Sequence, residues 1–182
     1  YLDLDQGWDN YKLGAIKSGY NSKLSNLWLF KSGTSSNQNF VIVPSLFNSP
    51  AILFLNRKQN YIEYVKSFGD VYLLEWKETK DTLKLYDYAK DVAKAVRFVQ
   101  DRTSTQPNLV GHCIGGNIAI FSTFIYNNIK SLTLLTTPWD YSHFAAPYFL
   151  SEALQIKKAI YGLDTVPKIY IQMMFFMLFP SH

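Results

Sequence analysis

The hexapeptide Gly111-His112-Cys113-Ile114-Gly115-Gly116 stands between a short β-like run, Pro107-Asn-Leu-Val110, and a helix-like run that leads away through Asn117. A chain that turns from strand to helix within so few residues needs small neighbours. The tight backbone brings the positions two before and two after the turning residue against the strand and the helix. Gly111 and Gly115 fill those two places. The pattern is that of a nucleophile elbow with cysteine as the turning residue; the alternative is a buried free cysteine on a glycine-rich turn.

The elbow reading carries its own chemistry. A cysteine at a helix N-terminus lies beside unpaired backbone N–H groups and the positive end of the helix dipole, which favour the anionic form that attacks. The amide of Ile114, directly after it, is the first oxyanion donor expected of this architecture. Together these features point to acyl transfer.

A chain of 182 residues, 48% hydrophobic and 16% aromatic, can bury one substantial core. Cys113 is the only cysteine, which excludes an internal disulfide and fits a cytoplasmic setting. The net charge of +4 comes from lysines spread along the chain, such as Lys77, Lys80, Lys84, Lys90 and Lys94. No basic block marks a nucleic-acid partner, and none is expected. A mildly basic surface suits an anionic acyl-CoA, and it equally serves solubility. No run reaches the ~18 apolar residues that span a bilayer. The longest, Ile169 to Phe179, reads as a buried or interfacial helix. The chain starts at Tyr1 rather than methionine, so a start further upstream is expected.

Along the chain, Tyr1 to Ser25 has no clear period and is expected to be irregular, followed by a short strand at Leu27–Phe30 and a polar loop at Gly33–Asn39. From there strand and helix alternate. Strands are expected at 40–43, 71–74, 107–110 and 131–135, and helices at 59–68, 83–102 and from the elbow to about Tyr126. The helix over 83–102 is the best defined. Leu85, Ala89, Val92, Val96 and Val99 make one apolar stripe, while Lys84, Asp87, Asp91, Lys94 and Asp101 fall on other faces. Such alternation predicts an α/β fold, a mostly parallel sheet with helices on both faces. The expected organisation is an irregular segment with a short strand at 1–38, a core at 39–144 and a partial cap at 145–182.

Functional groups in open α/β sheets gather at the carboxyl ends of the strands. Three segments arrive there: the elbow, Pro44-Ser-Leu-Phe-Asn48 after the first regular strand, and Thr136-Thr-Pro-Trp-Asp140 after the strand beyond the elbow. The second can be an ordinary βα turn or the source of a second oxyanion amide. At these segments the sequence resembles the poly(3-hydroxyalkanoate) synthases, polyester polymerases of the α/β-hydrolase superfamily. The family's G-x-C-x-G-G box is matched by Gly111 to Gly116. Its Pro-x-x-x-Asn loop and the apolar run after it are matched by Pro44 to Asn48 and Ala51 to Leu55. Its Val-Tyr-Leu-Leu-x-Trp strand is matched by Val71 to Trp76, its Asp-Tyr pair by Asp87-Tyr88, and its Leu-Thr-Leu-Leu-Thr-x-Pro-x-Asp-Phe/Tyr segment by Leu132 to Tyr141. The resemblance runs from about residue 39 to 144, and Leu163 to Phe179 looks like part of the family's cap region.

The resemblance implies a partial α/β-hydrolase fold that lacks the C-terminal strands. It also implies that Cys113 carries 3-hydroxyacyl groups as a thioester, taken from an acyl-CoA such as 3-hydroxybutyryl-CoA with release of CoA. Ile114 and a residue of the Pro44–Asn48 loop, Phe47, would supply the two oxyanion amides. Neither a metal nor a cofactor enters this reading. Polymer granules, a partner subunit or a separate C-terminal half are the partners it implies.

The superfamily order is nucleophile, acid, histidine, the last two on loops after later strands. Those strands need at least two more βα units of roughly 30 residues each, and the chain ends at His182, so a nucleophile without its acid and base is expected. The three histidines fit the missing role poorly. His112 lies along the elbow backbone, His143 follows Asp140 on one loop and cannot easily reach Cys113 as well, and His182 is terminal. Two other readings stay open: a cysteine-dependent esterase or thioesterase, and a non-catalytic interaction fragment.

Overall fold

The computed structural model describes residues 11–12, 14–46, 49–54 and 59–139. The chain divides into two units, Tyr1–Trp139 and Asp140–His182, and the elements that follow belong to the first. Its strands are β1 (Ile16–Asn21), β2 (Ser25–Phe30), β3 (Asn39–Val43), β4 (Asp70–Trp76), β5 (Asn108–His112) and β6 (Ser131–Leu135). Its helices are α1 (Tyr61–Lys66), α2 (Leu85–Thr103) and α3 (Ile114–Ile125), with a 3₁₀ turn at Pro50–Leu53. The strands form one sheet in the order β1-β2-β4-β3-β5-β6. The four expected strands are β3 to β6, which run parallel to one another, while β2 joins β4 and β1 joins β2 antiparallel.

Side chains along a strand alternate between faces, and the two faces bury different residues. Val41, Val43, Tyr72, Leu74 and Leu109 point into one core with α2 and α3, through Ala89, Val92, Val96, Val99, Ile118 and Ala119. Ile42, Val71, Leu73 and Val110 point into the other, with Ile62 and Val65 of α1 and Ala51 and Leu53 of the 3₁₀ turn. Helices thus cover both faces, as the apolar runs demand of a mostly parallel sheet.

Three details depart from the sequence reading. Within the segment expected to be irregular, residues 16–21 form β1. Its one buried residue is Ser18, its Ile16 is exposed, Gly19 sits at φ +95° and the register with β2 shifts between Lys17 and Asn21. An outer strand of this kind has no alternating apolar signal to read. Asp91, expected on an outer face of α2, is buried. Its carboxylate accepts hydrogen bonds from Tyr20 Oη at 2.9 Å and Ser25 Oγ at 2.5 Å, so it fastens the β1–β2 hairpin to the helix. Finally, β5 runs on to His112, because its pairing with β6 continues through Gly111 opposite Leu134 and His112 opposite Leu135. Among the described residues no helix is long and apolar enough to cross a membrane; the run from Ile169 to Phe179 lies outside them.

Candidate active site

Because β4, β3, β5 and β6 are neighbours and parallel, their carboxyl ends form a row along one edge of the sheet. Trp76 closes β4, Pro44 follows β3, Cys113 follows β5 and Thr136 follows β6. Adjacent strands lie about 4.8 Å apart, so the three segments singled out in the sequence emerge side by side.

Cys113 alone makes the passage from strand to helix. The ladder ends at His112, α3 begins at Ile114, and Cys113 between them has φ 53° and ψ −129°. A residue with a side chain adopts this backbone only where its surroundings force it. Here they do. The Cys113 N–H donates to the Leu135 carbonyl at 2.9 Å, which extends the sheet bonding by one residue, and the Gly116 N–H donates back to the Cys113 carbonyl at 2.8 Å. The glycines leave no room for anything larger. A methyl group on Gly111 would overlap the backbone of Gly116, and one on Gly115 would overlap the carbonyl oxygens of Val43 and Pro44. One on Gly116 would overlap the side chain of Thr137. The elbow is therefore pressed between the loops that follow β3 and β6. The thiol itself is free and half-buried.

Both flanking loops are tied in place. The Trp76 Nε1–H donates to the Pro44 carbonyl at 3.0 Å, and the indole ring meets Tyr88 of α2 edge-on, with ring centroids 5.3 Å apart. On the other side, the Asn117 Nδ2 amide donates to the Pro138 carbonyl at 2.9 Å. In the sequence Asn117 reads only as part of a helix. The available signal was a single amide in the otherwise apolar first half of α3, which is polarity without an obvious use. The Asp87 carboxylate of the Asp-Tyr pair accepts from the Lys84 N–H at 3.1 Å and caps α2, leaving Tyr88 to face Trp76.

Ile114 is the first residue of α3, so its N–H has no partner within the helix. Phe47, Asn48, Asp140, His143 and His182 lie outside the described residues. His112 is the one histidine within them. As part of β5 it belongs to the ladder, and burial lowers its pKa from the usual 6.5, which keeps the ring neutral near pH 7. Its Nδ1 and the Asn117 Oδ1 are buried without a hydrogen-bond partner.

A six-stranded, mostly parallel sheet with a strained residue on a strand-to-helix turn defines the α/β-hydrolase fold, here in part. Solved structures agree. The chain matches MenH from S. aureus with a TM-score of 0.56 at 15% identity, over 81% of this chain and 55% of that one. It matches the α/β hydrolase GrgF from Penicillium sp. sh18 with a TM-score of 0.56 at 15% identity, over 80% and 52%. It matches a membrane phospholipase A, described as a bacterial virulence factor, with a TM-score of 0.60 at 11% identity, over 96% and 66%. The chain thus spans about half to two thirds of the length of these structures. No protein-family model matches it, and neither does any curated protein sequence.

Proposed function

We propose that Cys113 is an acyl-accepting nucleophile and that the chain belongs to an acyltransferase of the polyhydroxyalkanoate synthase kind. The observation that carries this reading is the Cys113 backbone, at φ 53° and ψ −129° on a turn of one residue beside the Pro44 loop. Strain of that kind is kept where a side chain must be presented at one place. The motif order in the sequence supports the finer assignment.

In the proposed reaction the Cys113 sulfur attacks the thioester carbonyl of a 3-hydroxyacyl-CoA. A new S–C bond forms, the C–S bond to CoA breaks, and the thiol proton leaves with CoA as its free thiol. The oxyanion formed on the way accepts hydrogen bonds from the N–H groups of Ile114 and Phe47. The hydroxyl of the next 3-hydroxyacyl unit then attacks the Cys113 thioester, which makes an ester and returns the thiol. A polymer granule surface and a partner subunit are the companions of this reading.

A second reading is a cysteine-dependent esterase or thioesterase, in which water takes the place of the hydroxyl; the likeness to a phospholipase A favours it. Product analysis separates the two. With 3-hydroxybutyryl-CoA as substrate and a partner or longer chain supplying the acid and base, ester-linked oligomers of 3-hydroxybutyrate are expected. Free 3-hydroxybutyrate as the sole product would transfer the assignment to hydrolysis. Equal product from Cys113→Ala would remove both.

A further inference from the structure

We infer that Trp76 is a positioning residue for the oxyanion loop, acting through the Pro44 carbonyl; this rests on the reading of Cys113 as acyl acceptor. Trp76 sits at the carboxyl end of β4, beside the end of β3, and its indole N–H reaches sideways to the carbonyl of Pro44, the first residue beyond β3. A trans peptide is planar, with its C=O and N–H on opposite sides. Fixing the Pro44 oxygen therefore fixes the direction in which the next N–H, that of Ser45, is aimed.

The same oxygen also lies against Gly115, where no Cβ would fit, so the peptide is held between the indole and the first turn of α3. The indole is itself held. Tyr88 meets it edge-on at 90°, and Tyr88 in turn stands on the capped first turn of α2. Ser45, immediately beyond, is buried. Residues 44–46 thus enter the loop on a fixed course beside Cys113. Without the indole N–H, the Pro44 carbonyl loses the hydrogen bond that Trp76 gives it.

An oxyanion donor displaced by about 1 Å costs as much as 100-fold in rate, whereas alkylation of a thiol forms no oxyanion. The two reactions at one sulfur therefore separate loop positioning from damage to the nucleophile. The test compares the parent chain with Trp76→Phe, which keeps a ring beside Tyr88 and loses the donor. A second variant replaces Trp76 by 3-benzothienylalanine, which keeps the bicyclic shape with sulfur in place of N–H and serves if the phenylalanine variant fails to fold.

Three quantities are read: single-turnover acylation of Cys113 by 3-hydroxybutyryl-CoA, alkylation by iodoacetamide, and hydrogen exchange of the peptide covering residues 44–48. The expected result is a maximum acylation rate about 10- to 100-fold lower. The half-saturating concentration and the alkylation rate should be unchanged, and exchange should be faster in 44–48 alone. Acylation at the parent rate, or acylation and alkylation falling together, would overturn the inference. If the parent chain is not acylated at all, the reading of Cys113 fails. Exchange then decides for Trp76: faster exchange confined to 44–48 upholds the positioning role, and unchanged exchange overturns it.

Discussion

Cys113 holds a backbone conformation that an L-residue with a side chain pays about 1–3 kcal/mol to adopt. Glycine reaches the same region freely but gives up about 0.5–1 kcal/mol through the extra freedom of its unfolded chain. Cys113→Gly should therefore raise stability by about 1 kcal/mol in urea denaturation while abolishing acylation. Equal or lower stability would show that the turn stores no strain. His112, one position earlier, gives the fold a dependence on pH. Burial lowers its pKa from 6.5, so the unfolded chain binds the proton more readily than the folded one. Its contribution to stability is complete above pH 6.5 and is lost as pH falls from there toward the lowered folded value. Denaturation midpoints should fall between about pH 7 and pH 5, and the slope in that window should be shallower for His112→Gln. An identical slope in the variant would assign the dependence to other groups.

Among the elements, α2 was legible because its core positions repeat at helical spacing, and Ala89, Val92, Val96 and Val99 are all buried. The same logic misplaced Asp91, because periodicity assigns a charge to the outside unless a partner is visible. The partners, Tyr20 and Ser25, lie 71 and 66 residues away in the chain, on strands of which one had no signal at all. Removing the carboxylate leaves the buried Ser25 hydroxyl without its acceptor and the half-buried Tyr20 hydroxyl with the Asp91 backbone carbonyl, at 3.1 Å. Asp91→Ala should cost about 1–3 kcal/mol, with the loss of protection concentrated in β1 and β2 by hydrogen exchange. A cost below about 0.5 kcal/mol would show that the hairpin is held by its apolar contacts alone. β5 and α3 meet at a single residue for a reason only partly visible in sequence. Glycines two positions to either side of Cys113 announced the turn, but the pairing of His112 with Leu135, which confines it, is set by the register of β6.

Over the whole described unit, two cores on opposite faces hold four parallel strands whose ends form the candidate site. That arrangement was readable because apolar runs of four or five residues alternated with helical patterns. The elbow and its two neighbouring loops were readable from small residues and prolines at strand ends. What sequence could not reveal was how the loops are fastened, since the Trp76–Pro44 and Asn117–Pro138 hydrogen bonds join positions 32 and 21 residues apart through backbone carbonyls that carry no residue-specific signal. All of these features converge on one sulfur. Its role is tested most directly by intact-mass spectrometry and peptide mapping after exposure of the chain to 3-hydroxybutyryl-CoA. The account predicts a single 3-hydroxybutyryl adduct on Cys113, formed with one equivalent of free CoA and absent from Cys113→Ala. An unmodified parent chain, or an adduct that persists in the alanine variant, would contradict it.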